Sequence, residues 1–149
     1  MELIIWRHAE AEDTYPDEDR ALTAKGHKQA GKMAAWLKQH MPANIRILVS
    51  PAKRAQQTAK ALKLDFTTSA SLAPGTTAQA ILEATDWPSA EAVLIVGHQP
   101  MLGLVAARVM TGKPHYWCIK KSAVWWLSNR VRSNEEQCIL RAVVSPDFK

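Results

Sequence analysis

Leu3-Ile4-Ile5-Trp6-Arg7-His8 decides how this chain folds. An unbroken apolar run ends in an arginine and a histidine. Such a run, without polar alternation, reads as a strand buried on both faces of a parallel sheet. Val93-Leu94-Ile95-Val96-Gly97-His98 repeats the pattern, and Ile45-Arg46-Ile47-Leu48-Val49-Ser50 is a third strand, followed closely by Arg54. Each run delivers a basic group just past its carboxyl end. Parallel strands place those ends along one rim, where open α/β sheets bind ligands. Arg7, His8, Arg54 and His98 are therefore expected to converge on one anion.

Working outward, residues 2–7, 45–49, 65–72, 92–97, 122–129 and 137–144 read as strands. The acidic, proline-containing stretch 9–22 reads as a loop. Thr23 is a helix N-cap. Ala30, Met33, Ala34 and Leu37 then form one face of an amphipathic helix to about His40. Gly26 and Gly31 weaken that helix and suggest close packing against the sheet. Ser50, whose hydroxyl is also within reach of the site, is the expected N-cap, and Pro51 the first residue, of a second helix to about Leu62. Thr76 or Thr77 caps a short third helix, and residues 100–110 form a fourth with Leu102, Val105 and Val109 inward. Arg132-Ser133-Asn134-Glu135 marks a hairpin between the last two strands. The expected fold is a three-layer α/β/α sandwich. Its sheet has about six mostly parallel strands with an antiparallel edge.

The 149 residues suit one domain, 1–149, with 47% hydrophobic and 22% charged residues, as in a soluble globular protein. No apolar run approaches the ~20 residues that span a bilayer, and no signal-peptide pattern opens the chain. No membrane partner and a cytoplasmic location are expected. Cys118 and Cys138 form no metal-type pair and read as reduced, partly buried thiols. The formal net charge of +5 is scattered rather than striped. That describes a mildly basic solvated surface, not a nucleic-acid groove, and it suits phosphorylated substrates. His27, His40 and His115 lack the strand-end context and read as surface residues. Trp125-Trp126 places one ring on each face of a strand.

Four segments carry a family resemblance: Arg7-His8; Leu22-Thr23-Ala24-Lys25-Gly26-His27-Lys28-Gln29-Ala30; Ser50-Pro51-Ala52-Lys53-Arg54-Ala55-Gln56-Gln57-Thr58-Ala59; and Gly97-His98. Their types and order resemble the histidine phosphatase superfamily, with its phosphoglycerate mutase-like fold. The length and the stretch from Asp17 to Gly26 are similar to the small SixA-type phosphohistidine phosphatases, which lack a large helical insert. About 20 residues separate Leu72 from Ala92, too few for such a lid. One departure is Ala9, where the family has glycine; an ordinary backbone conformation follows there.

The resemblance implies His8 as nucleophile, carrying a phosphohistidine that water cleaves. Arg7 and Arg54 clamp the phosphoryl oxygens, and His98 stabilises growing charge. Neutral His8 then needs its other ring nitrogen to hold a proton, donated to a backbone carbonyl. No metal or cofactor is implied. A proton donor is not singled out: Glu10, Glu12, Asp17 and Glu83 are candidates, and Arg20 is a candidate contact to phosphate or phosphoprotein. The leading expectation is a phosphatase acting on a phosphohistidine protein such as a histidine phosphotransfer domain, as a monomer or weak dimer. A broad-specificity small-molecule phosphomonoesterase and a non-catalytic phosphate-binding module stay open.

Overall fold

The computed structural model describes residues 1–148. Six strands form one sheet: β1 (Glu2–Arg7), β2 (Arg46–Val49), β3 (Thr67–Thr68), β4 (Ala92–Gly97), β5 (Val124–Arg132) and β6 (Glu135–Val144), in the spatial order β3-β2-β4-β1-β5-β6. β1, β2, β3 and β4 run parallel, and β5 and β6 pair antiparallel at the edge. The helices are α1 (Ala24–His40), α2 (Lys53–Lys60), α3 (Ala78–Ala84) and α4 (Met101–Thr111).

The apolar runs of β1 and β4 are buried on both faces because helices cover both. Ile4, Trp6, Leu94 and Val96 pack with Met33 and Leu37 of α1 and Ala55 and Ala59 of α2. Leu3, Ile5, Val93 and Ile95 pack with Ile81 of α3 and Leu102 and Val105 of α4. The three-layer sandwich is thus set by alternate residues of the same two strands. Trp126 joins the first layer and Trp125 packs at the second, one ring per face as the sequence implies.

Several boundaries differ from expectation. α2 starts later, at Lys53, with Ala52 at its N-cap and no side-chain cap. The segment 65–72 keeps only two residues in strand pairing, since Leu72 turns into the core on a 3-10 turn. Gly26 contacts a loop, not the sheet: a Cβ there would lie 2.0 Å from the Glu10 carbonyl oxygen. The bare backbone of Gly26 lets α1 press on the chain just after His8. The β5–β6 hairpin is longer than read. Its turn places Ser133 and Asn134 at φ 51° and 64°, the left-handed pair that matches strand twist. Cys118 is exposed and Cys138 half-buried; both are free thiols. No helix among the described residues is long and apolar enough to cross a membrane.

Candidate active site

The parallel ladder continues one step past the strands and fixes the rim. His8 N–H donates to Gly97 O at 3.1 Å, and Ser50 N–H to Val96 O at 3.0 Å. The ends of β1, β2 and β4 are thereby locked side by side. His8 and His98 leave adjacent strands, and their rings lie 5.1 Å apart, centroid to centroid, tilted by 52°. Both are 8% exposed, and Arg54, in the first turn of α2, is 4% exposed. Arg7 is half-buried. The expected convergence of the four residues is what the fold produces.

Hydrogen bonds set the two imidazoles differently. His8 Nδ1 lies 2.8 Å from Ala9 O. A carbonyl only accepts, so Nδ1 carries the proton and Nε2 has the free lone pair. Ala9 has an ordinary φ, and its N–H donates to Thr58 Oγ1, which in turn donates to Arg54 O. His98 Nε2 lies 2.7 Å from Ser50 Oγ, which also accepts from Ala52 N–H. One proton is shared between Ser50 Oγ and His98 Nε2; with the serine donating, the imidazole proton sits on His98 Nδ1. That buried nitrogen has no partner among the described residues, nor do Arg7 Nε and Arg54 Nε. Three buried nitrogens on the site's own residues thus lack partners, a departure from the rule that buried polar groups are paired.

Burial is the main reason both imidazoles are held neutral. Desolvation pushes His8 down to about 3, with His98, Arg54 and Arg7 adding repulsion against the Ala9 hydrogen bond. Desolvation and then Arg54 push His98 to about 4. Desolvation also lowers Arg7, whose guanidinium nonetheless remains charged.

The candidate proton donors separate. Asp17 reaches the site's edge. Arg54 Nη1 donates to Asp17 O at 2.7 Å and Nη2 to its carboxylate at 3.1 Å. Slight burial opposes ionisation, but these bonds, followed by Arg20, hold the Asp17 carboxyl below the usual range. Arg20 pairs with Asp17 and donates to Glu12 O, on the exposed acidic loop. Glu10 turns instead to Thr23 Oγ1 and toward Lys25. Glu83 accepts from Gln79 on the exposed face of α3. His27, His40 and His115 are exposed.

Ser50, Thr58, Gln29 and Gln57 support the site without carrying charge. Gln29 Oε1 accepts from Glu10 N–H and Gln57 Oε1 from Leu22 N–H, pinning both ends of the acidic loop. Their signal was present: all four stand inside the quoted motif segments.

The profile of the histidine phosphatase superfamily (branch 1) matches residues 3–75. The phosphohistidine phosphatase SixA of Escherichia coli is 32% identical over 123 residues, covering 76% of each chain. The SixA homolog of Haemophilus influenzae is 36% identical over 126 residues, covering 73% of this chain and 77% of its own. The solved structure of the protein histidine phosphatase SixA complexed with tungstate superposes with a TM-score of 0.81 over 100% of both chains, at 27% identity. The matching motifs, the sheet order and the relatives agree, and the chain belongs to the histidine phosphatase superfamily, in its SixA-type group.

Proposed function

We propose that the chain is a phosphohistidine phosphatase whose nucleophile is His8. One observation carries the mechanism: a buried, neutral imidazole holds its Nδ1 proton against Ala9 O, beside a second imidazole and two guanidinium groups. His8 Nε2 needs no base to attack phosphorus. As the P–Nε2 bond forms, the bond from phosphorus to the substrate imidazole breaks, and that nitrogen takes a proton. Water then attacks the enzyme-bound phosphoryl group and releases phosphate, returning the electron pair to Nε2. Arg7 and Arg54 hold the equatorial oxygens, and His98 Nδ1–H donates to the charge that grows on them.

The substrate class follows the SixA relatives, whose names specify phosphohistidine. The open rim supports it. Between β3 and β4 stand only the 3-10 turn at Leu72 and the short α3, with no lid among the described residues, so a residue projecting from another protein has access. Asp17, ionised against Arg54, serves as a positioning group rather than an acid, and the leaving imidazole takes its proton from solvent. The chain works as one domain, 1–149, as a monomer or weak dimer in the cytoplasm, on a phosphorylated protein such as a histidine phosphotransfer domain.

The test compares turnover of a phosphohistidine protein with a panel of phosphomonoesters. Faster cleavage of the P–N bond is expected. Equal or faster cleavage of the esters would make the chain a broad-specificity phosphomonoesterase. Phosphate binding without turnover of either would make it a binding module.

A further inference from the structure

A cleft of about 740 Å³ is lined by Arg7 but by neither His8 nor His98. Its walls are the start of α1, the loop 118–121 and the turn at Pro146–Phe148. Lys25, Lys28 and Lys32 line it from one face of α1, at the i, i+3, i+7 spacing that aligns side chains. Lys120 and Lys121 face them from the opposite wall. With Arg7 this makes six cations against two carboxylates, Glu10 and Asp147. Those acids are already engaged: Asp147 accepts from Lys120 at 2.6 Å, and Glu10 faces Lys25 at 4.0 Å. Lys32 donates only to a neutral carbonyl, Pro146 O. Lys28 and Lys121 have no carboxylate partner among the described residues.

Folding does not call for this arrangement. The first turn of α1 carries no acidic residue, although the helix dipole favours acids there. Lys25 stands in that turn instead and adds its charge to the positive helix end. Five lysines around one cleft also repel one another. A local rule broken at a stability cost, beside an active site, points to recognition.

We propose that this cleft docks the acidic flank of the phosphoprotein substrate, seating its phosphohistidine over His8. The inference rests on the phosphatase reading above and adds to it a chemical criterion for the partner: carboxylates beside the phosphorylated histidine. No aromatic side chain among the described residues lines the cleft, so it offers no stacking platform for a nucleobase. Exposed lysines spread along two walls suit several separate carboxylates on a protein surface. A compact anion is better gripped by a buried arginine fork. Arg7 belongs to both the cleft and the phosphate site, so a docked partner and its phosphoryl group share one anchor.

The test uses short synthetic peptides of equal length, each with one phosphohistidine flanked by Glu, Gln or Lys, together with free phosphohistidine. The wild-type enzyme is expected to show kcat/KM about tenfold higher for the Glu peptide than for the Gln peptide, mainly through KM. The gap closes as salt shortens the Debye length to about 8 Å at physiological strength and below that beyond it. The double variant Lys28→Glu/Lys121→Glu is expected to erase or reverse the preference and leave free phosphohistidine turnover unchanged. Equal kcat/KM for the three peptides would overturn the proposal. So would tighter competition by inorganic triphosphate or duplex DNA than by the unphosphorylated Glu peptide. If nothing is hydrolysed, the phosphatase reading fails, and the cleft is then judged by binding. Salt-sensitive binding of the unphosphorylated Glu peptide, lost in the double variant, upholds it; no binding refutes it.

Discussion

The floor of the site and the cleft beside it are built on opposite principles. The floor is His8, His98 and Arg54, all nearly inaccessible, each tied to a strand end or first helical turn. The cleft is a set of exposed lysines on flexible stems, most with no partner or a weak one. Burial makes the floor rigid and keeps its imidazoles neutral, which suits bond-making. Exposure makes the cleft adaptable and screened by salt, which suits choosing a partner. Damage to the floor should therefore appear in kcat, and damage to the cleft in KM and its salt dependence.

The largest expected effect short of losing the nucleophile is at Arg54. Arg54→Ala should lower kcat by about 10²–10³-fold, as removal of a preorganised donor does elsewhere. Arg54→Lys should recover only part of that, because an ammonium cannot match the planar fork. Steady-state kinetics on a phosphohistidine substrate decides it. A change confined to KM would move Arg54 from the floor to the recognition surface.

The neutral histidines also make a stability prediction. Their folded values, about 3 and about 4, lie below the ordinary histidine value of roughly 6.5. As pH falls below that value the unfolded chain binds protons that the folded chain refuses. Stability should then drop by at most about 1.4 kcal/mol per pH unit for each histidine, levelling off below the folded values. Urea unfolding between neutral pH and pH 4 measures the slope. The variant His8→Asn/His98→Asn should flatten it. An unchanged slope in that variant would mean that neither imidazole is held neutral.

Gly26→Ala tests how closely α1 must press on the loop after His8. Its Cβ would meet the Glu10 carbonyl, which cannot yield as a side-chain end does. A loss of about 1–3 kcal/mol in denaturant unfolding is expected. Gly31→Ala, with open space around it, should be neutral or slightly stabilising.

The smallest catalytic effect is expected at Ser50. Ser50→Ala should lower kcat about tenfold with little change in KM, because His98 loses the partner that sets its tautomer. Nitrogen NMR of the His98 ring reads this directly: the proton should sit on Nδ1 in the wild type and spread over both nitrogens in the variant. Ser50→Thr, which keeps the hydroxyl, should restore both.

Much of the floor was readable in the sequence because it follows strand logic. Apolar runs bracketing Arg7-His8 and Gly97-His98 can be buried only side by side in a parallel sheet, and their ends must then meet. Ser50 reads first as an N-cap because Ser-Pro after a strand is the usual signature of a helix start, and only its second reading, a hydroxyl in reach of the site, holds. Nothing local reveals that its hydroxyl faces a histidine 48 positions away. The cleft is invisible in the sequence for a related reason. Lys25, Lys28 and Lys32 read as an ordinary solvated helix face, and only the fold brings Lys120 and Lys121 opposite them. Pairwise meetings across the chain leave no mark in local periodicity.

The most direct test of the central claim is to trap the covalent intermediate. Rapid mixing with a phosphohistidine substrate, an alkaline quench and mass spectrometry should find one phosphoryl group on His8. His8→Ala should carry none and lose turnover, while its Arg7 and Arg54 still bind phosphate. Phosphate found on another residue, or turnover surviving in His8→Ala, would contradict the account.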